Sequence, residues 1–353
     1  MLDAMPPSIK ANPKLQELPF PYNNRPFCRY EPIEKRIEHA KVLIVNNLLR
    51  YESDLSPLAK IDWNGTTESK VRFENKISAM ACNNIANNVL RLVRQPKTLT
   101  VHLSEVAEAA ASFAPDAIVM SGTLSDFDYY NPEHLAKFEK FIKETRLPVL
   151  AICGAHQLVG MSFGAELKTL DNLAPSEKRT GRVVEYQYRF IKIVETSDPI
   201  FKGIADKESG IWQDYTLEDD ILRVWQNHGL QVVGVPEGFD LLATAYLCKN
   251  QMMVKRSDEQ LIYSVQFHLE KSFEDWSKNP TRWEHPNESR DGRILFENFL
   301  QLALQHKNKK AVKIRHLKIN FRILFDSSNQ TKQSSGTFSR VFFISISTTG
   351  MKS

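Results

Sequence analysis

The chain has 353 residues, 42% of them hydrophobic, which is enough to bury one large core or two modest ones. Its cysteines (Cys28, Cys82, Cys153 and Cys248) are scattered without a C-x-x-C pair, which predicts a reducing compartment and argues against a disulfide scaffold or a zinc site. The net charge of +4 comes from residues 306–353, which hold ten Lys or Arg and one acidic residue; residues 1–305 carry −5, which argues against nucleic-acid binding by the body.

The chain divides by composition into three expected segments. Residues 1–40 are a proline-rich extension with a short helix near 33–40, and residues 41–305 form the body. Residues 306–353 are a basic tail that we expect to be disordered, with contact to an anionic partner as the alternative. The first residues lack the apolar stretch of a signal peptide, and no apolar run approaches the ~20 residues that cross a bilayer. We therefore expect a cytoplasmic protein with no membrane partner.

Strands and helices alternate through the first half of the body. Apolar runs predict strands at residues 41–45, 99–103, 116–120 and 149–152. Helical spacing predicts helices at residues 74–94, 106–113, 132–145 and 157–163, with loop and short helical pieces over 48–70. This order, with short links, predicts an open, mostly parallel sheet with helices on both faces, in a flavodoxin-like three-layer α/β fold.

The second half of the body has a different pattern. Strands separated by turn residues are predicted at 182–194, 221–225, 239–246, 252–256 and 261–267. They predict a smaller antiparallel set, which a helix over 292–305 follows. The chain contains no internal repeat, no GxGxxG sequence and no Walker-type phosphate loop.

The stretch from Val149 to Leu158 predicts a strand, a sharp turn and a helix, with Cys153 at the turn. Small residues, Ala151 and Ala155, stand two positions before and after it, as a strained nucleophile elbow requires. The helix N-terminus favours a thiolate, and the amide of Gly154 can face an oxyanion. A lone buried cysteine is more often structural, so the elbow needs support from other groups.

Residues at other strand ends supply that support. His268 can exchange a proton with a cysteine nucleophile, and Glu270 can orient its ring. Gly122 follows the predicted strand 116–120 and can offer a second amide to an oxyanion. Each of these residues has a structural explanation when taken alone. Because ligands bind beyond the carboxyl ends of parallel strands, their joint placement favours a shared catalytic site.

These residues lie in two motifs that resemble those of a known family. Ala151–Gln157 (AICGAHQ) and Tyr263–Glu270 (YSVQFHLE) resemble G-x-C-x-G-x-Q and G-V-Q-F-H-P-E of the class I glutamine amidotransferases. Ser121–Thr123 resembles the family's Ser-Gly-Gly loop. Val224–Gly229 (VWQNHG) is similar to V-W-M-S-H-G in the amidotransferase domains of GMP synthetases. The resemblance covers residues 41–305.

The resemblance implies a role for each matching position. Cys153 would be the nucleophile of a triad completed by His268 and Glu270, and the amides of Gly122 and Gly154 would form the oxyanion hole. The side chains or backbone of three further residues would line the glutamine pocket: Gln157, Asn227 and His228. His156 is given no catalytic role, and no cofactor or metal is implied.

The family's reaction releases ammonia from glutamine through a glutamyl thioester. No nucleotide site is found in this sequence, so the resemblance implies either a separate synthetase subunit that accepts the ammonia or a stand-alone hydrolase of γ-glutamyl compounds. A catalytically silent regulatory module is the third possibility. The sequence departs from the family pattern at Ala151, Ala155, Thr123 and Leu269. These departures leave the predicted triad whole, and bear on which substrate is accepted and how fast it reacts. The segment of residues 271–290 is longer than usual for the family. A solvated insertion is the favoured interpretation, with a lid or a partner surface as the alternative.

Overall fold

The computed structural model describes residues 34–204, 220–271 and 290–309. The chain divides into two compact units, Met1–His306 and Lys307–Ser353, and nearly all described residues belong to the first. Most of the predicted extension, the tail beyond residue 309 and most of the long segment after Glu270 lie outside the described residues.

The described residues form eleven strands, six α-helices and five short 3-10 helices. The strands are β1 (Ile37–Asn46), β2 (Val93–His102), β3 (Ala117–Met120), β4 (Val149–Ile152), β5 (Glu166–Thr169), β6 (Glu185–Ile193), β7 (Ile221–His228), β8 (Leu230–Val233), β9 (Asp240–Thr244), β10 (Met252–Arg256) and β11 (Leu261–Val265). The helices are α1 (Pro57–Asp62), α2 (Thr67–Leu92), α3 (Val106–Phe113), α4 (Pro132–Glu144), α5 (Gly154–Ser162) and α6, which covers residues 290–309.

Nine strands form one sheet in the order β2-β1-β3-β4-β11-β10-β9-β6-β7. The first five are parallel, and β10, β9, β6 and β7 continue the same sheet in antiparallel pairs. A separate antiparallel pair joins β5 to β8. The antiparallel strands predicted from the sequence therefore extend the central sheet.

Helices cover both faces of the parallel strands. Alternate side chains of each strand point to opposite faces, so they belong to different cores. On β1, Val42 and Ile44 belong to the core that includes α2 and α6, whereas Leu43 and Val45 belong to the core that includes α3, α4 and α5. Both cores are fully buried at their centres. The predicted three-layer α/β fold is confirmed.

Two helices on the face of the sheet that carries Leu43 and Val45, α1 and α4, begin at clear capping signals. Ser56 precedes Pro57, and its Oγ accepts the N–H of Ala59 at 3.2 Å. Asn131 precedes Pro132 in the same way, and its Oδ1 accepts the N–H of Glu133 at 3.0 Å. A side-chain acceptor followed by proline therefore fixes where α1 and α4 start.

The structure corrects one element and lengthens another at the start of the body. The short helix predicted near 33–40 is wrong over residues 37–40, because β1 begins at Ile37 and pairs with Val93 of β2. β2 begins six residues before the predicted 99–103. Its first half is polar and contains Pro96, which an edge strand tolerates because one side needs no donor.

In the described part of the chain, no helix combines the length and the apolar character that crossing a bilayer requires.

Candidate active site

Cys153 occupies a strained turn between β4 and α5. Its φ of 52° and ψ of −107° are unfavourable for a residue with a Cβ, and the strain persists because the surroundings fix the backbone. The N–H of Cys153 donates to the carbonyl of Val265 on β11 at 2.7 Å. Ala151 and Ala155 on either side are fully buried, so only small side chains suit this close packing.

His268 follows the end of β11 and is held by the main chain of a distant strand. Its N–H donates to the carbonyl of Trp225 on β7 at 2.8 Å. Its Nδ1 lies 2.7 Å from Oε1 of Glu270, which is buried. The carbonyl of Glu270 in turn accepts the side-chain amide of Asn88 on α2 at 2.8 Å. The imidazole is thus oriented by the carboxylate of a residue whose main chain is anchored to a helix.

Electrostatics favour a charged pair at this point. Burial by itself lowers the pKa of His268, but Glu270 and Cys153 outweigh it and raise that pKa to about 10. Burial also disfavours the Glu270 carboxylate, yet the imidazole charge outweighs it and lowers the pKa of Glu270. Near neutral pH, His268 is therefore an imidazolium beside a carboxylate.

Gly122 lies directly against both groups. A Cβ built on Gly122 would stand 3.3 Å from Cβ of Cys153, 3.4 Å from Cε1 of His268 and 3.7 Å from Sγ. A larger residue would therefore fill the space beside the thiol that a substrate needs.

Gly154 contacts the residue after Gly122. A Cβ at Gly154 would lie 2.5 Å from the backbone nitrogen and 2.6 Å from Cβ of Thr123, which is too close for any side chain. Thr123 stands where the family loop has glycine. Its side chain fills space that the absence of one at Gly154 leaves open, so the two residues are complementary in size.

Of the three residues predicted to line the glutamine pocket, only Asn227 has a contact with the thiol. Asn227 is exposed, and its carbonyl lies 3.9 Å from Sγ of Cys153. His228 is buried, with Nδ1 2.9 Å from the carbonyl of Leu230 and Nε2 3.0 Å from Oε2 of Glu185. Gln157 is also buried, and its amide donates to that same carbonyl at 3.2 Å. Only Asn227 of the three exposes its side chain.

Gln266 is a site residue that the sequence analysis did not identify. It is fully buried, and its Nε2 lies 3.7 Å from Sγ of Cys153 while its Oε1 accepts the amide of Gln157 at 3.2 Å. Its place two residues before His268, in the same motif, was the available signal. His156, in contrast, points away from this chemistry: Nδ1 lies 2.9 Å from Oγ of Ser264, and burial lowers its pKa to about 3, so the ring is neutral.

A family model shows to which protein family the chain belongs. The model of the class I glutamine amidotransferases matches residues 79–285. The chain belongs to this family. The resemblance inferred from the two motifs is therefore confirmed, and the alanines at Ala151 and Ala155 are departures within the family.

Several GMP synthase proteins are similar in sequence. A glutamine-hydrolyzing GMP synthase subunit from Methanothermobacter thermautotrophicus is 24% identical over 221 residues, which cover 63% of this chain and 92% of that protein. The corresponding subunit from Pyrococcus furiosus is 31% identical over 156 residues, or 44% of this chain and 66% of that protein. The GMP synthase of Lactobacillus delbrueckii subsp. bulgaricus is 29% identical over 176 residues, which cover 50% of this chain but 27% of that larger protein.

Two solved structures also match the chain. A putative GMP synthase subunit from Thermoplasma acidophilum has a TM-score of 0.48 and 18% identity, over 77% of this chain and 98% of that one. A glutamine amidotransferase from Thermotoga maritima has a TM-score of 0.43 and 16% identity, over 76% and 99%.

Proposed function

We propose that this amidotransferase releases ammonia from glutamine through a thioester on Cys153. The observation that supports this most is the strained elbow that holds Cys153 beside His268, with Nδ1 of His268 2.7 Å from Glu270. A thiol, an imidazolium and an orienting carboxylate are the groups that nucleophilic cleavage of an amide uses. The proposed catalytic unit is the body of the chain, residues 41–305.

The first half of the reaction forms the thioester. The Cys153 thiolate attacks the side-chain amide carbon of glutamine, and the amides of Gly122 and Gly154 stabilise the resulting oxyanion. His268 gives its proton to the departing nitrogen, the carbon–nitrogen bond breaks, and ammonia leaves. Glu270 keeps the ring oriented and offsets its charge.

The second half regenerates the enzyme. His268, now neutral, removes a proton from a water molecule that attacks the thioester carbonyl. The carbon–sulfur bond breaks, glutamate leaves, and the thiolate beside the imidazolium is restored. Gln157, Asn227 and His228 position the substrate: Asn227 offers its exposed side chain, and the other two act through the backbone that their side chains hold in place.

A separate synthetase subunit is the proposed acceptor of the ammonia. Support comes from relatives named as subunits of glutamine-hydrolyzing GMP synthase, one of which is matched over 92% of its length. The free cysteines Cys82, Cys153 and Cys248 support a cytoplasmic location, since a reducing compartment keeps such thiols unpaired.

A stand-alone γ-glutamyl hydrolase is the second candidate, favoured by Thr123. This residue replaces a glycine of the family loop and packs against Gly154, next to the predicted oxyanion position. A change at that point alters the shape of the acyl pocket, and so the choice between free glutamine and γ-glutamyl peptides.

Ammonia release from the full chain separates the candidates. We expect release from L-glutamine at a higher kcat/KM than from γ-glutamyl peptides, and a further rise when a GMP synthase synthetase subunit is added. Cys153→Ala should lower turnover by about 10,000-fold or more. Cys82→Ala is the matched control, because burial raises the pKa of the Cys82 thiol to about 11 and keeps it inert. Activity on the peptides alone would reject the glutamine proposal.

A further inference from the structure

A second group of chemically active side chains lies at the same edge of the sheet as Cys153. Asp54 belongs to the turn after β1, His102 ends β2, and His134 lies in the first turn of α4. Asp54 and His102 are almost completely buried, and His134 is 18% exposed at its side chain. The ligand atoms of all three lie within 4.8 Å of one another.

Their separations are unusual for a hydrogen-bonded cluster. Nε2 of His102 lies 3.8 Å from Oδ2 of Asp54, and Nδ1 of His134 lies 3.6 Å from Oδ1. Both distances are too long for hydrogen bonds. Nε2 of His102 has no hydrogen-bond partner among the described residues although it is buried. Two ligands of one tetrahedral zinc ion stand about 3.3 Å apart. Each imidazole nitrogen therefore lies within about half an ångström of that spacing from one oxygen of Asp54, and side-chain rotation must bring the two imidazoles, now within 4.8 Å, closer together.

Neighbouring groups hold the ligands in position. Oδ2 of Asp54 accepts the backbone N–H of Arg50 at 2.9 Å. Nδ1 of His102 lies 2.9 Å from Oγ of Ser104, which can accept its proton when Nε2 binds a metal. The backbone N–H of Ser104, 3.2 Å from the same atom, suits the opposite tautomer, so binding would exchange one Ser104 contact for the other.

The local charge also suits a cation. The Arg50 guanidinium lies beside Asp54, with Nε 3.3 Å from Oδ2, but its Nη1 contacts Oε1 of Glu105 at 2.7 Å. Two carboxylates against one guanidinium leave a net negative charge. His134, 18% exposed at its side chain, is the ligand nearest to solvent.

We propose that Asp54, His102 and His134 bind one divalent transition-metal ion of the zinc type, at a site separate from Cys153. Two imidazoles and one carboxylate are a ligand set that zinc prefers. The sequence predicted no metal site because these ligands are far apart in the chain and none belongs to a cysteine motif. The ion ties the turn after β1 and the end of β2 to the start of α4, and so stabilises this edge of the sheet.

Zinc binding is best tested in full-length protein carrying Cys153→Ala, because the catalytic thiol could itself hold zinc. Chelator-treated protein is titrated with zinc chloride by calorimetry and with cobalt chloride by visible absorption. We expect one equivalent, a tetrahedral cobalt spectrum and a higher Tm with zinc. Adding His134→Ala should weaken binding by more than about 100-fold and abolish the zinc-dependent rise in Tm.

The control is His39→Ala in the same background, because His39 is exposed on β1, outside the cluster. It should bind zinc as the parent does. Asp54→Asn, which keeps the size of the side chain, should weaken binding in the same direction as His134→Ala. The metal-free Tm of each variant verifies folding. No zinc uptake by the parent, or uptake unchanged by His134→Ala, would overturn the proposal.

Discussion

Cys153 is held in a backbone conformation that its side chain disfavours. A positive φ of 52° in a residue with a Cβ stores about 1–3 kcal/mol, which the surrounding sheet and helix must offset. The strain has a use, since it directs Sγ out of the turn toward Gly122 and His268. Some stability is thus given up at one residue so that the thiol can face the site.

Replacing Cys153 by glycine should relieve this strain, whereas alanine keeps the Cβ and therefore the strain. We expect Cys153→Gly to be more stable than Cys153→Ala by about 1 kcal/mol, less than the full strain because glycine also stabilises the unfolded chain. Urea denaturation of both variants gives the difference in the free energy of unfolding. Equal stability, or a more stable alanine variant, would contradict the strained elbow.

Glu270→Gln should change the pH dependence of the reaction. Without the carboxylate, the pKa of His268 falls from about 10, and the alkaline limb of kcat/KM moves to lower pH. Because the folded-state pKa of His268 lies above the ordinary 6.5, the stability that its charge contributes is complete below about pH 6.5, down to the acid pH at which Glu270 is protonated, and is lost as pH rises through about 10. In Glu270→Gln, that loss of stability should be smaller and should occur at lower pH, because only Cys153 still raises the pKa of His268.

Kinetic pH profiles and Tm values measured across this range check both parts. Glu297→Gln is a suitable control, since this carboxylate lies on α6, outside the site. An alkaline limb that stays in place in Glu270→Gln would show that the carboxylate does not act on His268.

Gly154 and Thr123 should show energetic coupling. Gly154→Ala forces its Cβ against Thr123 and displaces the loop that carries Gly122, so we expect kcat to fall by about 10- to 100-fold. Thr123→Gly in the same protein should recover part of the loss, because the loop can then shift. A double-mutant cycle on kcat measures the coupling, and additive effects would contradict the contact.

The sequence indicated the residues that the structure brings together at the site, but not the groups that hold them in position. Cys153 and His268 stood out because each follows an apolar run that predicts a strand, and Glu270 stood out because it lies two residues after His268. Asn88 and the carbonyl of Trp225 gave no such signal. They act through contacts with residues far away in the chain, and a helix asparagine or a main-chain oxygen has no distinctive pattern.

At the scale of elements, α5 supports the site, because it begins directly after Cys153. It is buried along nearly its whole length, and Gly160 gives it close contact with β8. A Cβ at Gly160 would lie 2.8 Å from both methyl groups of Val232, which is itself buried. The position of α5 on the sheet therefore depends on the absence of a side chain at one residue.

Gly160→Ala should destabilise the fold by about 1–3 kcal/mol, because overpacking outweighs the better helix propensity of alanine. Val232→Ala removes the methyl groups in question. Added to Gly160→Ala, it should restore part of the lost stability. Denaturation curves of the two single variants and the double variant provide the test, and a double variant less stable than Gly160→Ala would contradict the packing.

Elements with strong patterns were predicted well, and weakly patterned ones were missed. The helix at Val106–Phe113 and the strand at Met252–Arg256 have the predicted bounds. β5 and β8 were not predicted. Each has four residues, and they pair only with each other, so no long apolar run marks them.

At the scale of the whole molecule, the sheet brings distant segments to one edge. β7 lies four strands from β11 in the sheet order, yet Trp225 of β7 pairs with His268 just beyond β11. The antiparallel half therefore curls until its last strand meets the parallel half. Buried Gln251 bridges this region, accepting from Gln226 and donating to Glu185, both at 2.9 Å. No sequence pattern predicts this closure, because it depends on the curvature of the complete sheet.

Cys153 is the residue proposed to meet the substrate amide, and every step of the reaction depends on it. The most direct test of that role is incubation of the folded protein with a glutamine-mimicking electrophile, followed by mass-spectrometric mapping of the adduct. We expect one adduct, on Cys153, whose formation slows when glutamine is present in excess. An intact Cys153 in protein with an unchanged Tm, or labelling that glutamine does not slow, would contradict this role.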